Sequence, residues 1–483
     1  MRFNDRHNPS TGYMVITLFM LGIFTEMTWA ADKPNFVFII ADDCTHRDLG
    51  CYGGQAATPN IDRLATEGMR FRQCFQAAPM CSPTRHNIYT GLYPVKSGAY
   101  PNHTFAKAGT KSVCHYLGKL GYRVALSGKT HIGPKPIFPF EYSGNKNPDM
   151  DAIDQLLAEC QTDDTPFCLF ACSNEPHSPW DKGDASQYPP EKVKLPPYWV
   201  DTPEQREAYS NYLAEITYFD GQVGKILDLL DKHQHADNTV VMVTSEQGNG
   251  FPFAKWTLYD SGLQTAMVVR WPGKVQANTE SDALIEYVDV LPTMVDAAGG
   301  TVPKVLEGKS FAPVLLGKTT EHKQQVYGIM TTRGIINGSD TFGIRSVRTK
   351  QYKLIVNLTP QIKFTNACTK SKAFLSWKRK AESGDADAAE KVRRYHHRPA
   401  VELYDVTQDW YEWKNLADDP SKAEVVAELR GKLDAWMQQQ GDHGQQTEIE
   451  AFQHQGRYRK KNPRPNNPKP GKKSAKQPAK ATS

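Results

Sequence analysis

The sequence predicts an α/β fold: a doubly wound, mostly parallel sheet flanked by helices, followed by a smaller C-terminal α+β domain that carries an antiparallel sheet. Three observations predict it. Short apolar runs recur between residues 35 and 270, as expected for strands buried on both faces. Helical patterns alternate with them to about Ala298. Beyond about Val326 the pattern changes to short, mixed strands, which marks a second unit.

The elements follow in order. Asn35 to Ala41 (Asn-Phe-Val-Phe-Ile-Ile-Ala) reads as a central parallel strand, and Asp42-Asp43 follows it at once. Two adjacent carboxylates there either flank a cation or form an ordinary acidic turn. Thr58-Pro59 opens a helix to about Glu67, with Thr58 as N-cap and Pro59 at the first position. Lys111 to Leu120 reads as a helix and Tyr122 to Ser127 as a strand. The loop Gly128 to Gly133 comes next, where Lys129 and His131 can meet one anion. Pro166 to Ala171 is another strand. It leads to His177, which lies between Pro176 and Pro179 and is expected in an extended loop.

Glu204 to Asp231 is a long amphipathic helix. The strand Thr239 to Thr244 runs straight into Ser245-Glu246-Gln247-Gly248, whose carboxylate and amide are hard oxygen donors. Lys255 and Tyr259 follow in a Gly/Pro-rich loop. Thr265 to Arg270 reads as a strand and Glu286 to Ala298 as a helix. In the second unit, Gly343 to Val347, Tyr352 to Leu358 and Val401 to Asp405 read as antiparallel strands. Lys370 to Tyr395 is a charged helical insertion and Lys422 to Gln439 an amphipathic helix. No internal repeat is visible.

The two ends differ from the middle. Arg2 and Arg6 precede an uncharged run from Met14 to Phe24, which is too short for a membrane span, and Thr28-Trp29-Ala30 ends in small residues. This pattern predicts a signal peptide over 1–30 and export to the periplasm or the medium. The remaining divisions fall at 31–325 for the α/β domain, 326–445 for the α+β domain and 446–483 for a basic, disordered tail. From Arg457 to Ser483 there are ten Lys or Arg and no acid, so a formal net charge of +5 for the chain leaves −5 for the rest. The body is therefore mildly acidic and predicts no nucleic-acid partner. The tail either holds an anionic surface or is simply solvated. The nine cysteines contain no CxxC pair and no zinc spacing. Export permits disulfides, with no pairing readable from sequence.

One cysteine stands apart. Cys81-Ser82-Pro83-Thr84-Arg85, with Thr90-Gly91 after it, places a Cys at a helix start, a Pro in its first turn and an Arg one turn on. Amide groups and the helix dipole there favour an anion, so Cys81 is either a nucleophile or a buried helix-start cysteine. With Asp42, Asp43, Glu246 and Gln247 as oxygen ligands, and Arg85, Lys129 and Lys255 as cations, the set suits attack at a tetrahedral anion. His131 and His177 add titratable groups.

The Cys81 motif resembles the signature of the type I sulfatases. Asp42-Asp43, Gly128-Lys129-Thr130-His131, Pro176-His177 and the acid–amide pair before Gly248 are similar to that family's other landmarks, in the same order. The resemblance covers roughly Lys33 to Gly441. Within the family it is strongest to the N-sulfoglucosamine sulfohydrolase (heparan sulfamidase) branch, through Ile132-Gly133-Pro134, Phe138-Pro139-Phe140, Phe251-Pro252-Phe253 and Arg393 to Tyr404.

The resemblance implies a hydrolase acting on a sulfated oligosaccharide or polysaccharide. It implies formylglycine (3-oxoalanine) formed from Cys81 by a formylglycine-generating enzyme, with the hydrate as nucleophile. It also implies Ca²⁺, with Mg²⁺ as the second choice, on Asp42, Asp43, residue 81, Glu246 and Gln247. Arg85 would orient the hydrate, Lys129 and Lys255 would neutralise sulfate, His177 would be the proton donor and His131 the base. Four positions depart from the family. Tyr89 replaces an aliphatic residue, Glu246 and Gln247 are each one methylene longer than the usual pair, and Lys255 replaces the Arg of the sulfamidases. The rival expectations are an O-sulfatase on an algal glycan, a phosphodiester or phosphonate hydrolase, and a polysaccharide-binding protein without catalysis.

Overall fold

The computed structural model describes residues 33–451. The signal peptide expected over 1–30 and most of the basic tail lie outside the described residues.

Eight strands form the main sheet. Across it they run Thr279–Ser281, Met69–Phe71, Met267–Arg270, Thr239–Ser245, Asn35–Ala41, Phe167–Cys172, Arg123–Gly128 and Glu141–Ser143. Every neighbouring pair is parallel except those made by Met267–Arg270, which runs antiparallel to both neighbours. The central strand is apolar throughout because both its faces are covered. Val37 and Ile39 pack with Leu213, Ile216 and Val223 of the long helix Pro203–Lys232. Phe36, Phe38 and Ile40 pack on the other side with Leu291 and Met294 of the helix Val290–Ala297.

Register positions the site. Ala41 pairs with Ser245, and Ile40 and Gly128 each pair with Cys172. Asp42, Lys129, Ser173 and Glu246 therefore leave the sheet at one edge. Backbone bonds fix the exits: Glu246 N–H donates to Ala41 O (2.9 Å), Asp42 N–H to Glu175 O (3.0 Å) and Lys129 N–H to Cys172 O (2.9 Å).

The second sheet is antiparallel, in the order Gln325–Thr331, Gly343–Thr349, Tyr352–Asn357 and Val401–Asp405. The helix Ala423–Gln440 covers one face through Leu429, Leu433 and Trp436. The sheet joins the site region through Ile329 N–H, which donates to Ala77 O four residues before Cys81 (2.8 Å).

Several local expectations change. Thr58 makes no side-chain cap. Its hydroxyl donates to Asp62 Oδ1 (2.9 Å) and accepts from Gly50 N–H, so a tertiary contact takes the capping oxygen. Thr265 to Arg270 is two strands, because Gln264–Thr265 pairs with Cys74–Phe75 in a separate three-stranded sheet. The helix expected from Glu286 starts at Val290, since Ile285–Glu286 is a strand of that small sheet. The charged insertion is two helices, Lys372–Glu382 and Ala386–His396, separated at Gly384 with φ 98°. Their apolar faces bury Phe374, Trp377 and Tyr395. Glu448 and Ala451, expected in the tail, are buried, and Glu448 pairs with the buried Arg345 at 2.8 Å. All nine cysteines are free.

Candidate active site

Cys81 is the first residue of the helix Cys81–Thr90, and every residue of that helix is buried. Pro83 fits the first turn, where its missing N–H has no helical partner. Gly91 ends the helix in the left-handed region at φ 62°, its N–H donating to Asn87 O (3.0 Å).

The Cys81 thiol lies 3.6 Å from Asp42 Oδ1, 3.3 Å from Lys255 Nζ and 3.4 Å from Gln247 Nε2. Burial and the adjacent Glu246 carboxylate push its pKa well above the ordinary thiol value. The helix dipole expected to yield a thiolate is outweighed by desolvation and a neighbouring negative charge. Burial and Glu246 thus favour the neutral thiol in unmodified Cys81.

Three carboxylates surround it, each matched to a cation. Asp42 contacts Lys129 Nζ. Asp43 binds Lys255 Nζ at 2.7 Å and accepts from Gln247 Nε2 at 2.6 Å. Glu246 Oε2 lies 2.6 Å from Arg85 Nε, and both side chains are fully buried. Burial works against the Glu246 carboxylate, but Arg85, Lys129 and Lys255 outweigh it and hold its pKa at about 2. Burial likewise opposes the Lys255 ammonium, and Asp43 reverses the balance and raises it. Arg85 Nη1–H donates to Lys129 O (3.0 Å), while its Nε forms the ion pair with Glu246.

Ligand atoms of Asp42, Asp43, Cys81 and His177 all lie within 4.8 Å of one another. The donors suit a divalent cation, and one atom asks for it: Gln247 Oε1 is buried without a hydrogen-bond partner. Turning that amide about its axis would aim the oxygen where Nε2 now meets Asp43 and Cys81, a reversal that a bound cation stabilises. Glu246, expected in the ligand set, pairs with Arg85, and His177 also lies within the cluster. The glycine after the acid–amide pair is obligatory, since a Cβ at Gly248 would overlap the Ser261 carbonyl oxygen.

His177 sits in a tight turn, not an extended loop: its N–H donates to Asn174 O (3.0 Å), with Pro176 inside the turn. Its Nδ1–H donates to Ser178 O (2.7 Å), so Nε2 faces Asp43 Oδ2 at 3.6 Å. Asp43 favours the charged ring, but burial with Lys255 and Lys129 outweighs it and lowers the pKa. Asn147, which carries no sequence signal, braces this loop by accepting from Asn174 N–H (3.0 Å) and donating to Glu175 Oε1 (3.0 Å).

His131 is held well below its ordinary pKa by burial, with Lys129 adding to the effect. The sequence reading missed its partner, His103, whose Nδ1 lies 2.7 Å from His131 Nε2. Asp43, His103, His131, Phe253 and Trp256 all have φ between 48° and 67°. Such left-handed backbone is uncommon outside glycine and gathers at functional sites.

A profile of the family described as Sulfatase matches residues 34–300. The chain belongs to the type I sulfatase family. It is thus a hydrolase of sulfuric esters, from a family that generally uses formylglycine and a divalent metal. A second profile, described as N-sulphoglucosamine sulphohydrolase, C-terminal, matches residues 248–365 of this sulfatase. It is 32% identical over 423 residues to an ulvan-active sulfatase of Formosa agariphila, covering 85% of this chain and 81% of that protein. Human N-sulphoglucosamine sulphohydrolase is 26% identical over 461 residues, 84% of this chain and 90% of that one. A solved structure of a protein with its substrate D-glucosamine-2-N,6-O-disulfate shares the fold, with a TM-score of 0.64 at 19% identity. The match covers 85% of this chain and 99% of that one.

Proposed function

We propose that this sulfatase is an exported enzyme that hydrolyses sulfate groups from a sulfated glycan. The observation that carries the reading is the balanced ring of three carboxylates and three cations around Cys81. Such a ring can take up a divalent cation together with a singly charged sulfate ester and keep one net positive charge for the negative charge that develops as sulfate leaves. Export rests on the N-terminal charge and apolar pattern.

Formylglycine made from Cys81 would supply, as its hydrate, the oxygen nucleophile. A divalent cation, assigned as Ca²⁺ because the longer Glu246 and Gln247 suit its looser geometry, would be held by these two with Asp42, Asp43 and residue 81, and would supply positive charge to the reacting oxygens. Lys129 and Lys255 turn from their carboxylates towards the sulfate oxygens and stabilise the charge that develops there. Arg85, locked by Glu246, fixes the head of the helix. His177 donates the proton to the leaving oxygen or nitrogen. The approaching sulfate anion raises its pKa towards the working range. His131, kept neutral by burial and Lys129, removes the proton that allows sulfate to depart. Because the whole Cys81 helix is buried, a formylglycine-generating enzyme must reach the motif before the helix folds.

Two finer readings compete. The profile match over 248–365 supports an N-sulfoglucosamine sulfamidase. The 32% identical ulvan-active relative supports an O-sulfatase on an algal polysaccharide, and Lys255 in place of Arg agrees with a different pocket. The test is sulfate release by the protein co-expressed with a formylglycine-generating enzyme, on N-sulfated glucosamine oligosaccharides beside ulvan oligosaccharides. Release from neither, with residue 81 confirmed as formylglycine, would overturn the glycan reading. Chelation with EDTA is expected to lower turnover at least tenfold and added Ca²⁺ to restore it, measured as released sulfate.

A further inference from the structure

His131 and His103 come from separate loops, one after the strand Arg123–Gly128 and one after the short helix Pro94–Ser97. Their rings lie 4.6 Å apart, and the nitrogens that face each other, His103 Nδ1 and His131 Nε2, are 2.7 Å apart. At that distance only one of the two can carry a proton. On the far side of His103, Asn102 Nδ2 lies 3.2 Å from Nε2. With the Asn102 amide turned about its axis, His103 Nε2–H donates to Asn102 Oδ1, so His103 Nδ1 accepts from His131 Nε2–H and His131 Nδ1 is the unprotonated nitrogen. The other nitrogen of His131, Nδ1, is buried and has no hydrogen-bond partner. His131 is thus tethered by one nitrogen and presents the other.

We propose that His103 is a positioning residue for His131: it holds the imidazole through Nε2 and leaves Nδ1 as the nitrogen that serves the reaction. No sequence spacing links the two. The backbone brings them together by placing both residues in the left-handed region, at φ 60° for His103 and φ 48° for His131. That conformation is costly at a non-glycine residue and persists where the surroundings impose it. The charged groups acting on His131 are Lys129, Glu246 and Arg85, and Lys255 acts on His103. None of these replaces the Nε2 contact.

The kinetic arm of the test rests on the sulfatase reading and uses a small aryl sulfate with formylglycine-loaded enzyme, so that glycan specificity plays no part. His103→Leu keeps bulk and removes the acceptor, whereas His103→Asn puts an amide oxygen close to the place of Nδ1. The expected result is a fall in kcat of about ten- to a hundredfold for His103→Leu, with KM within about twofold and a shifted pH profile, and recovery of most of kcat in His103→Asn. An unchanged kcat and pH profile in His103→Leu would overturn the proposal. So would a rise in KM alone, which would make His103 a substrate contact. A second measurement needs no variant and no turnover: carbethoxylation of the wild-type protein by diethyl pyrocarbonate, read by peptide mass spectrometry. His131, with Nε2 engaged, is expected to react at least tenfold more slowly than the exposed His397. Equal rates would overturn the proposal even if the enzyme were inactive on every sulfate ester.

Discussion

Cys81→Ala is expected to bring sulfate release down to background, a loss of at least about ten-thousandfold, the scale seen when a nucleophile is deleted. The fold should survive it. Cys81 is only 3% exposed, and burial favours its neutral thiol, so the small cavity should cost about 1 kcal/mol, or about 1 °C in Tm for a chain of this size. Asp42 loses a neighbour and keeps Lys129, and Lys255 and Gln247 keep Asp43. Sulfate assay and differential scanning calorimetry on the same preparation separate the two effects. Measurable turnover by Cys81→Ala would remove residue 81 from the chemistry altogether.

Arg85→Met should unfold more than it inactivates selectively. It strips the nearest counter-charge, at 2.6 Å, from a carboxylate with no solvent access. Breaking a buried pair from one side costs roughly 3–5 kcal/mol, because the remaining ion stays desolvated. Urea titration reads this as a lower midpoint at unchanged m. Arg85→Met combined with Glu246→Gln should recover part of the loss, since the orphaned charge goes with it. A midpoint for Arg85→Met equivalent to less than 1 kcal/mol of destabilisation would mean that Lys129 and Lys255 alone suffice for Glu246. The same pair has a pH signature. The Glu246 pKa is depressed from 4.5 to about 2 in the folded protein, so its contribution is complete above about 4.5 and is lost as pH falls towards about 2. Glu246→Gln should flatten that part of the stability curve.

Much of the site was legible because parallel strands buried on both faces are apolar runs with polar residues only at their ends. Asp42, Lys129 and Glu246 each directly follow such a run. What was missed has a common cause. His103 and Asn147 lie in loops without periodicity, and the turn around His177 is closed by a backbone bond that proline spacing does not encode. Thr58 shows the same limit on a smaller scale: its sequence context favours an N-cap, while Asp62 and Gly50 claim its hydroxyl.

The sequence by itself determined the sheet, the family and the identities of the charged groups, because hydrophobic period and residue type are local properties of the chain. The tertiary structure alone decided how those charges pair. Which carboxylate holds which cation depends on strand register and loop path, and only this arrangement makes Glu246 a partner of Arg85, draws His177 towards Asp42, Asp43 and Cys81, and favours the neutral Cys81 thiol. Pairing energies depend on distance and burial, and neither exists until the strands are in register.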